Sequence, residues 1–166
     1  QRQMCIRDSI NFLEKAKGQS AYSSNTANQQ EFLRVKAKLL AFLETPERTF
    51  RRYPLSDDSI PAQYAQAIAY FKKLDITNAM NKIDALIKAE PNNPFFHELK
   101  AQMYLETGKV KQAKAEYQTA LNKLPGSALL QLSLAQATLE DNPSKEELKK
   151  TVSLLTVSYT HLTLPT

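Results

Sequence analysis

Apolar residues recur along most of the chain with the three- and four-residue spacing of amphipathic helices. The first such segment, residues 30–44, has a broad apolar face, and Pro46 is expected to end it. The face consists of Phe32, Leu33, Val35, Leu39, Leu40, Phe42 and Leu43, with Arg34, Lys36 and Lys38 on the polar side. Upstream, residues 10–17 indicate the tail of a helix that Gly18 ends, and residues 19–29 indicate a polar linker.

The middle of the chain contains two helical hairpins with the same landmarks at the same spacing. Six positions recur at one constant interval: Ala67 and Ala101, Tyr70 and Tyr104, Ile76 and Val110, Ala79 and Ala113, Ile87 and Leu121, and Pro91 and Pro125. This interval is the period of the tetratricopeptide repeat (TPR), about 34 residues for one helix–turn–helix. The pattern predicts an all-α fold of antiparallel helical hairpins, stacked as a TPR-like right-handed solenoid.

Turn and cap residues set the expected limits of these helices. The helices of the first two repeats are predicted at about 61–73, 77–90, 94–107 and 110–124. Ser59 and Pro61 indicate the start of the first of them. Gly108 supplies a left-handed turn in repeat two, whereas Leu74 stands where glycine is usual, which predicts an irregular first hairpin. A short helix is possible at the start of residues 49–61. A third repeat begins at Ser127, and its longer turn, residues 142–144, precedes a last helix over 145–155.

Both ends of the chain read as translated sequencing adapter. One allowed set of codons for the first eight residues has a reverse complement that encodes Val-Ser-Tyr-Thr-His-Leu-Thr-Leu, which is the sequence of residues 157–164. We therefore exclude residues 1–9 and 156–166 from the fold, as one excludes a processing scar. Cys5 and His161 then drop out of the chemistry. The rest is expected to be a fragment with cut ends, so the absence of a targeting signal says nothing about location.

Composition agrees with a helical protein and excludes several functions. The 166 residues include 3 glycines and no tryptophan. Lysine and glutamate are interspersed within a net charge of +5, which indicates a solvated helical surface and no nucleic-acid partner. No apolar run approaches the ~20 residues of a membrane span. Without Cys5 the segment has no cysteine, hence no disulfide framework and no thiolate site.

His97 and Glu98 form the one pair that suggests catalysis. A zinc protease motif of the type His-Glu-x-x-His needs a second histidine at the position that Ala101 occupies. A metal ligand is therefore missing, and His97 is expected to be a structural residue of the first helix of repeat two. Asp57 and Asp58 are expected to be loop and capping residues. The segment itself is predicted to contain no catalytic, cofactor-binding or metal site.

Two surfaces are candidates for binding. The densest basic cluster consists of Arg48, Arg51 and Arg52 with Tyr53. It could bind a phosphate or an acidic partner, or it could dock the loop on a neighbouring domain or pair with Asp57 and Asp58.

The second surface is the concave groove of a TPR stack, which the first helices of the repeats line. The residues at groove positions are Tyr64, Ile68, Phe71, Lys72, Glu98, Gln102, Leu105, Glu106, Gln136 and Leu139. A protein or peptide segment is the expected ligand. The alternative, that Tyr64, Phe71 and Leu105 mainly pack in the core, stays open.

Several segments together resemble the C-terminal TPR portion of bacterial HtpX-like zinc metalloproteases of the periplasmic, barrel-assembly-enhancing type. They are residues 51–54 (RRYP), 59–65 (SIPAQYA), 67–70 (AIAY), 83–87 (IDALI), 90–94 (EPNNP) and 96–100 (FHELK). Residues 39–44 (LLAFLE) also suit the bridging helix of that family. Lys100, like Leu74, departs from the general TPR pattern, in which an apolar residue is usual at that position.

The resemblance implies a longer parent protein with an upstream zinc protease domain, a periplasmic location and a role in outer-membrane protein assembly and quality control. The TPR part would recruit substrate or assembly partners and would contact the parent's own protease domain, and zinc would belong to that missing domain. The alternative is a freestanding TPR scaffold. The implied organisation is 10–29 as helix tail and linker, 30–60 as bridging helix and loop, and 61–155 as repeats, divided into 61–93, 94–126 and a truncated 127–155.

Overall fold

The computed structural model of the chain describes residues 26–153, and within them the fold is all-helical, without a strand. The helices are α1 (Thr26–Leu43), α2 (Pro46–Arg52), α3 (Ile60–Lys72), α4 (Ile76–Ala89), α5 (Pro94–Glu106), α6 (Val110–Lys123), α7 (Ala128–Glu140) and α8, of which residues 145–153 are described. The adapter ends, the helix tail that Gly18 ends and most of the predicted linker lie outside the described residues. The chain divides into two compact units, of which the first ends at Leu86 and the second begins at Ile87.

In unit one, helix α3 is central and packs against both α1 and α2. Its fully buried residues are Ala62, Tyr64, Ala65, Gln66, Ala67, Ile68 and Ala69. Helix α1 runs parallel to α3. Two contacts show this direction, because the earlier residue of α1 contacts the earlier residue of α3 and the later residue contacts the later one. The Arg34 guanidinium lies 5.9 Å from the centre of the Tyr64 ring. Eight residues further along α3, the Lys72 ammonium donates to the carbonyl of Ala41 near the end of α1, at 3.1 Å.

Helix α1 differs from its prediction in its start and in its buried face. It begins at Thr26, within the segment predicted to be a linker. The buried positions are Phe32, Arg34, Ala37 and Ala41, whereas Leu33 is 45% exposed. Ala37 and Ala41 lie four residues apart, so their small side chains form one strip that allows close approach to α3. Arg34 is buried because its charge is held by Glu31, through Nε at 2.8 Å, and by the face of Tyr64.

In unit two, α5 packs against α6 and α6 packs against α7. The core of these hairpins consists of alanines, leucines and one tyrosine, with Tyr104 and Leu105 packed at its edge. The core residues are Ala101, Ala113, Tyr117, Ala120, Leu121, Leu130, Leu134 and Ala137. The small alanine side chains let the helices approach closely, and Tyr117 and Tyr104 fill space between them.

The repeat period of the sequence is kept in the helices. The limits of α5 are those of α3 displaced by one repeat period, those of α6 repeat α4, and those of α7 repeat α5. The turns agree as well, since the amide of Asp75 donates to the carbonyl of Tyr70 at 3.0 Å and the amide of Lys109 donates to the carbonyl of Tyr104 at 2.8 Å. All predicted limits of the helices in the first two repeats are correct within one residue.

Leu74 does not make the first hairpin turn irregular, so that prediction is wrong. Its φ is +61°, close to the +74° of Gly108 at the corresponding position. Leu74 therefore adopts the left-handed backbone conformation. The turn needs this conformation for the hydrogen bonds that the carbonyls of Tyr70 and Phe71 accept. The longer third turn is confirmed, because Asn142 has a φ of +50° and α8 starts at residue 145.

Side-chain caps explain where the helices begin. The Ser59 hydroxyl accepts a hydrogen bond from the amide of Ala62, and Pro61 lies in the first turn, as predicted. Asn93 and Ser127 cap α5 and α7 in the same way. Pro46, expected only to end α1, also begins the short helix α2 behind the cap Thr45.

Candidate interaction surfaces

In unit one, two of the predicted groove residues, Tyr64 and Ile68, lie in the core. Both side chains are completely buried. The face of α3 that carries them is covered by the parallel helix α1, with Arg34 directly over Tyr64. The hydrophobic periodicity of α3 could not show this, because a groove residue and a core residue have the same apolar character.

Lys72, at the end of the same face of α3, binds the carbonyl end of α1. Its ammonium donates to the carbonyls of Ala41 and Phe42, each at 3.1 Å, and to the carbonyl of Glu44. These carbonyls belong to the last turn of α1 and the residue after it, where partners within the helix are missing. Partial burial lowers the pKa of Lys72, and the Glu44 carboxylate opposes that shift. The remaining predicted residue, Phe71, is half-buried.

The groove positions of unit two are accessible and repeat between helices. Gln102 donates to the Glu106 carboxylate on α5 at 3.0 Å, and Gln136 donates to the Glu140 carboxylate on α7 at 3.2 Å. Each member of the second pair lies one repeat period after its counterpart. Glu106 and Gln136 are exposed, and Gln102 is half-buried. The two helices therefore present the same amide–carboxylate pair.

Apolar and aromatic residues accompany these pairs. Leu139 is 56% exposed, and Leu105 is half-buried against the hairpin core. Tyr117 of α6 lies below them, 4% exposed, with a hydrogen bond to Ser133. Burial raises the pKa of Tyr117 to about 12, and the carboxylates of Glu98, Glu106 and Glu140 contribute to that rise. This face of unit two is thus acidic and partly apolar. Its members Tyr117 and Glu140 were not among the predicted residues, although Glu140 lies one period after Glu106.

The three arginines of the predicted basic cluster lie beside one pocket. Arg48, Arg51 and Arg52 lie on α2 and are exposed, and with Glu44 they line a pocket of about 320 Å³. Arg52 donates to both carboxylate oxygens of Glu44, through its terminal nitrogen at 2.6 Å and through Nε at 3.3 Å, which raises the pKa of Arg52. Glu44 was not among the predicted residues of the cluster.

Tyr53 ends helix α2 beside these arginines and belongs to the support of the cluster. Its backbone amide donates to the carbonyl of Thr49, and burial raises the pKa of its phenol. The predicted pairing of the arginines with the following aspartates is not seen among residues 26–153. Asp57 instead accepts the amide of Ser59 at 3.0 Å, which is the capping role predicted for it.

His97 is a structural residue in this arrangement. It is 8% exposed on α5, and its Nδ1 lies 2.8 Å from the Glu116 carboxylate on α6. A carboxylate only accepts, so Nδ1 carries the hydrogen. Lys100 binds the other oxygen of Glu116 at 3.1 Å and lies 5.7 Å from the centre of the Tyr104 ring. The unusual lysine of the repeat pattern is thus part of a charged contact between the two helices of one hairpin.

Within residues 26–153 no group of three or more His, Cys, Asp or Glu side chains is arranged to hold a metal ion. No helix in the described part of the chain is long and apolar enough to cross a membrane.

Comparison with known proteins shows a distant relation. No family model matches the chain. It is similar to the beta-barrel assembly-enhancing protease of Yersinia pestis, with 26% identity over 122 residues, which cover 69% of this chain. The chain spans only about a quarter of that protein's length, 25%. The similarity thus relates a helical segment to part of a protease.

Proposed function

We propose that residues 61–155 are a TPR-type protein-interaction module of a zinc metalloprotease that acts in outer-membrane protein assembly and quality control. In this proposal the module recruits substrate or assembly partners in the periplasm, contacts the parent's own protease domain and performs no catalysis itself. The observation that carries the proposal is the recurrence, after one repeat period, of helix limits, turns and the Gln–Glu surface pair. The similarity to the Yersinia pestis protease supports the kind of parent.

The proposed contact surface is the exposed face of α5 and α7 in unit two. It combines exposed amides with an apolar contact, Leu139, and such a mixture is typical of surfaces that bind partly apolar protein segments. The carboxylates of Glu106 and Glu140 favour segments that also carry lysine or arginine. The proposed surface does not include Tyr64 and Ile68 of unit one, because both are buried.

A binding experiment with the full chain tests the contact surface. A purified, unfolded outer-membrane β-barrel protein, labelled with a fluorophore, is titrated with the wild-type chain and with the double variant Gln136→Ala/Leu139→Ala. We expect the variant to bind at least about fivefold more weakly, about 1 kcal/mol. The matched control is Gln118→Ala, since Gln118 is also an exposed glutamine with a hydrogen-bonded partner four residues on, Asn122, but lies on α6. Equal affinity of the double variant and the wild type would refute the proposed surface.

The nature of the parent is tested separately. A genomic reading frame upstream of Ile10 that encodes His-Glu-x-x-His is expected, and a frame without it would favour the freestanding scaffold. The chain supplied with zinc should not cleave casein. Cleavage that survives further purification would show that the segment is itself an enzyme.

A further inference from the structure

The arginine-bearing face of α2 is a second charged surface, in unit one, that the proposed function does not use. Arg51 and Arg52 follow Arg48 by three and four residues, so each of them neighbours Arg48 on the helix surface. Together with Glu44 they line the pocket of about 320 Å³. A volume of this size is at the lower end of the range of small binding sites.

The charges that line the pocket are not balanced. Among the described lining residues Glu44 is the one carboxylate, and Arg52 already holds both of its oxygens. Arg48 and Arg51 have no ion pair or side-chain hydrogen bond within residues 26–153. Two guanidinium groups are thus exposed side by side, with their donors directed to solvent or to a ligand.

Helix α2 holds these arginines on a fixed support. Its Thr49 is completely buried, and the ring of Phe50 packs against Tyr70 of α3 with the ring centres 4.9 Å apart. The loop after α2 is fixed by the buried Gln66, whose amide donates to the carbonyl of Pro54 at 2.7 Å and to that of Asp57 at 3.2 Å. A preformed support reduces the entropy lost when a ligand binds, although the arginine side chains themselves must still be ordered.

The Glu44–Arg52 pair indicates which ligand the pocket accepts. It is a carboxylate bound by both donors of a guanidinium fork, at the wall of the same pocket. We propose that Arg48 and Arg51 bind further carboxylates in the same way, supplied by a segment of a partner protein that carries clustered Asp and Glu side chains. This inference does not rest on the proposed function, since it concerns α2 in unit one alone.

The test uses the full chain and a fluorescein-labelled oligoglutamate peptide, with oligoglutamine of equal length as the comparison. We expect binding of oligoglutamate only, with an affinity that falls as salt is raised from about 50 to 200 mM, because screening weakens contacts between exposed charges. The double variant Arg48→Gln/Arg51→Gln should bind at least about tenfold more weakly. Arg52 is retained so that Glu44 keeps its partner.

The matched control is Lys145→Gln/Lys149→Gln, which removes the same charge from exposed positions of α8. It should change the affinity by less than about twofold. Far-UV circular dichroism must be the same for both variants, and since all four side chains are exposed we expect both to fold. An equal loss of affinity in the two variants would show that only the net charge of the chain matters, and it would overturn the proposal.

Two further arms separate the other sources of negative charge. Inorganic phosphate and vesicles that contain anionic lipid are offered to the same proteins. If either binds through Arg48 and Arg51 while oligoglutamate does not, the pocket is a phosphate or lipid site and the proposal is wrong. If oligoglutamate binds and phosphate competes only weakly, the assignment to acidic protein segments holds.

Discussion

Leu74 adopts the same left-handed backbone conformation as Gly108, which occupies the equivalent turn of the next repeat. An L-amino acid other than glycine is strained in this conformation. The Leu74 side chain is 82% exposed, so little packing is lost when it is removed. We expect Leu74→Gly to raise the free energy of unfolding by about 1 kcal/mol, measured by urea denaturation.

Two glycines provide the controls for this prediction. Gly108→Ala should lower the free energy of unfolding by about 1 kcal/mol through the backbone alone, since a Cβ there would meet nothing within 4 Å. Gly126 has equal space and no positive φ, so Gly126→Ala should be neutral or stabilising. If Leu74→Gly is destabilising, the turn does not carry the strain that its φ indicates.

Glu116 joins the two helices of one hairpin through His97 at 2.8 Å and Lys100 at 3.1 Å. All three side chains are largely buried, so replacing the carboxylate by an amide removes the charge and one of the two acceptor oxygens that His97 and Lys100 share. We expect Glu116→Gln to lower the free energy of unfolding by about 1–2 kcal/mol. Glu146→Gln, at an exposed position of α8, should change it by less than about 0.5 kcal/mol.

A double-mutant cycle checks that the loss comes from the contact with His97. His97→Gln and Glu116→Gln together should cost less than the sum of the single changes, with a coupling of about 0.5 kcal/mol or more. Additive effects would mean that Glu116 stabilises the hairpin through Lys100 alone.

Acid should destabilise the chain through its aspartate caps. The hydrogen bonds of Asp57 to Ser59 and of Asp75 to Asn78 lower the pKa of both carboxyl groups below the ordinary value of 3.8. Their contribution to stability is therefore complete above pH 3.8 and is lost as the pH falls through the lower folded-state pKa values. The double variant Asp57→Asn/Asp75→Asn lacks both carboxyl groups. Its denaturation midpoint should therefore depend less on pH below 3.8 than that of the wild type. Asp58→Asn, which removes a charge at an exposed neighbouring position, serves as the control for the change in net charge.

Alkali should destabilise unit two through Tyr117. Burial raises the pKa of its phenol from 10.0 to about 12, so between these values the unfolded chain loses a proton that the folded chain keeps. The unfolded state binds fewer protons there, and stability falls as the pH rises. We expect tyrosinate absorbance in the folded chain to include a late component near pH 12 that Tyr117→Phe removes, whereas the raised titration of Tyr53 remains in both proteins. The variant should also lose part of the fall in stability above pH 10, whereas Ser133→Ala should retain it.

Much of the fold could be predicted because the signals are local. Proline and serine at helix starts, glycine at one turn and the periodic recurrence of alanine and tyrosine set the limits of α3 to α6 within one residue. The start of α1 was predicted too late, because residues 26–29 are polar and resemble a linker although they belong to a helix. The prediction of an irregular turn at Leu74 was also wrong. The preference for glycine at this turn position is weaker than the hydrogen bonds that the two turn carbonyls accept.

The candidate surfaces depended more on tertiary contacts. The sequence alone determined a helical repeat, an arginine cluster on α2 and amide–carboxylate positions at fixed intervals, because periodicity and spacing fix which side chains share a helix face. Only the tertiary structure decided that α1 covers Tyr64 and Ile68, that Lys72 binds the end of α1 and that Glu44 occupies one arginine of the cluster. These outcomes come from residues about 8 to 30 positions apart, and no local pattern specifies which helix will pack against a given face.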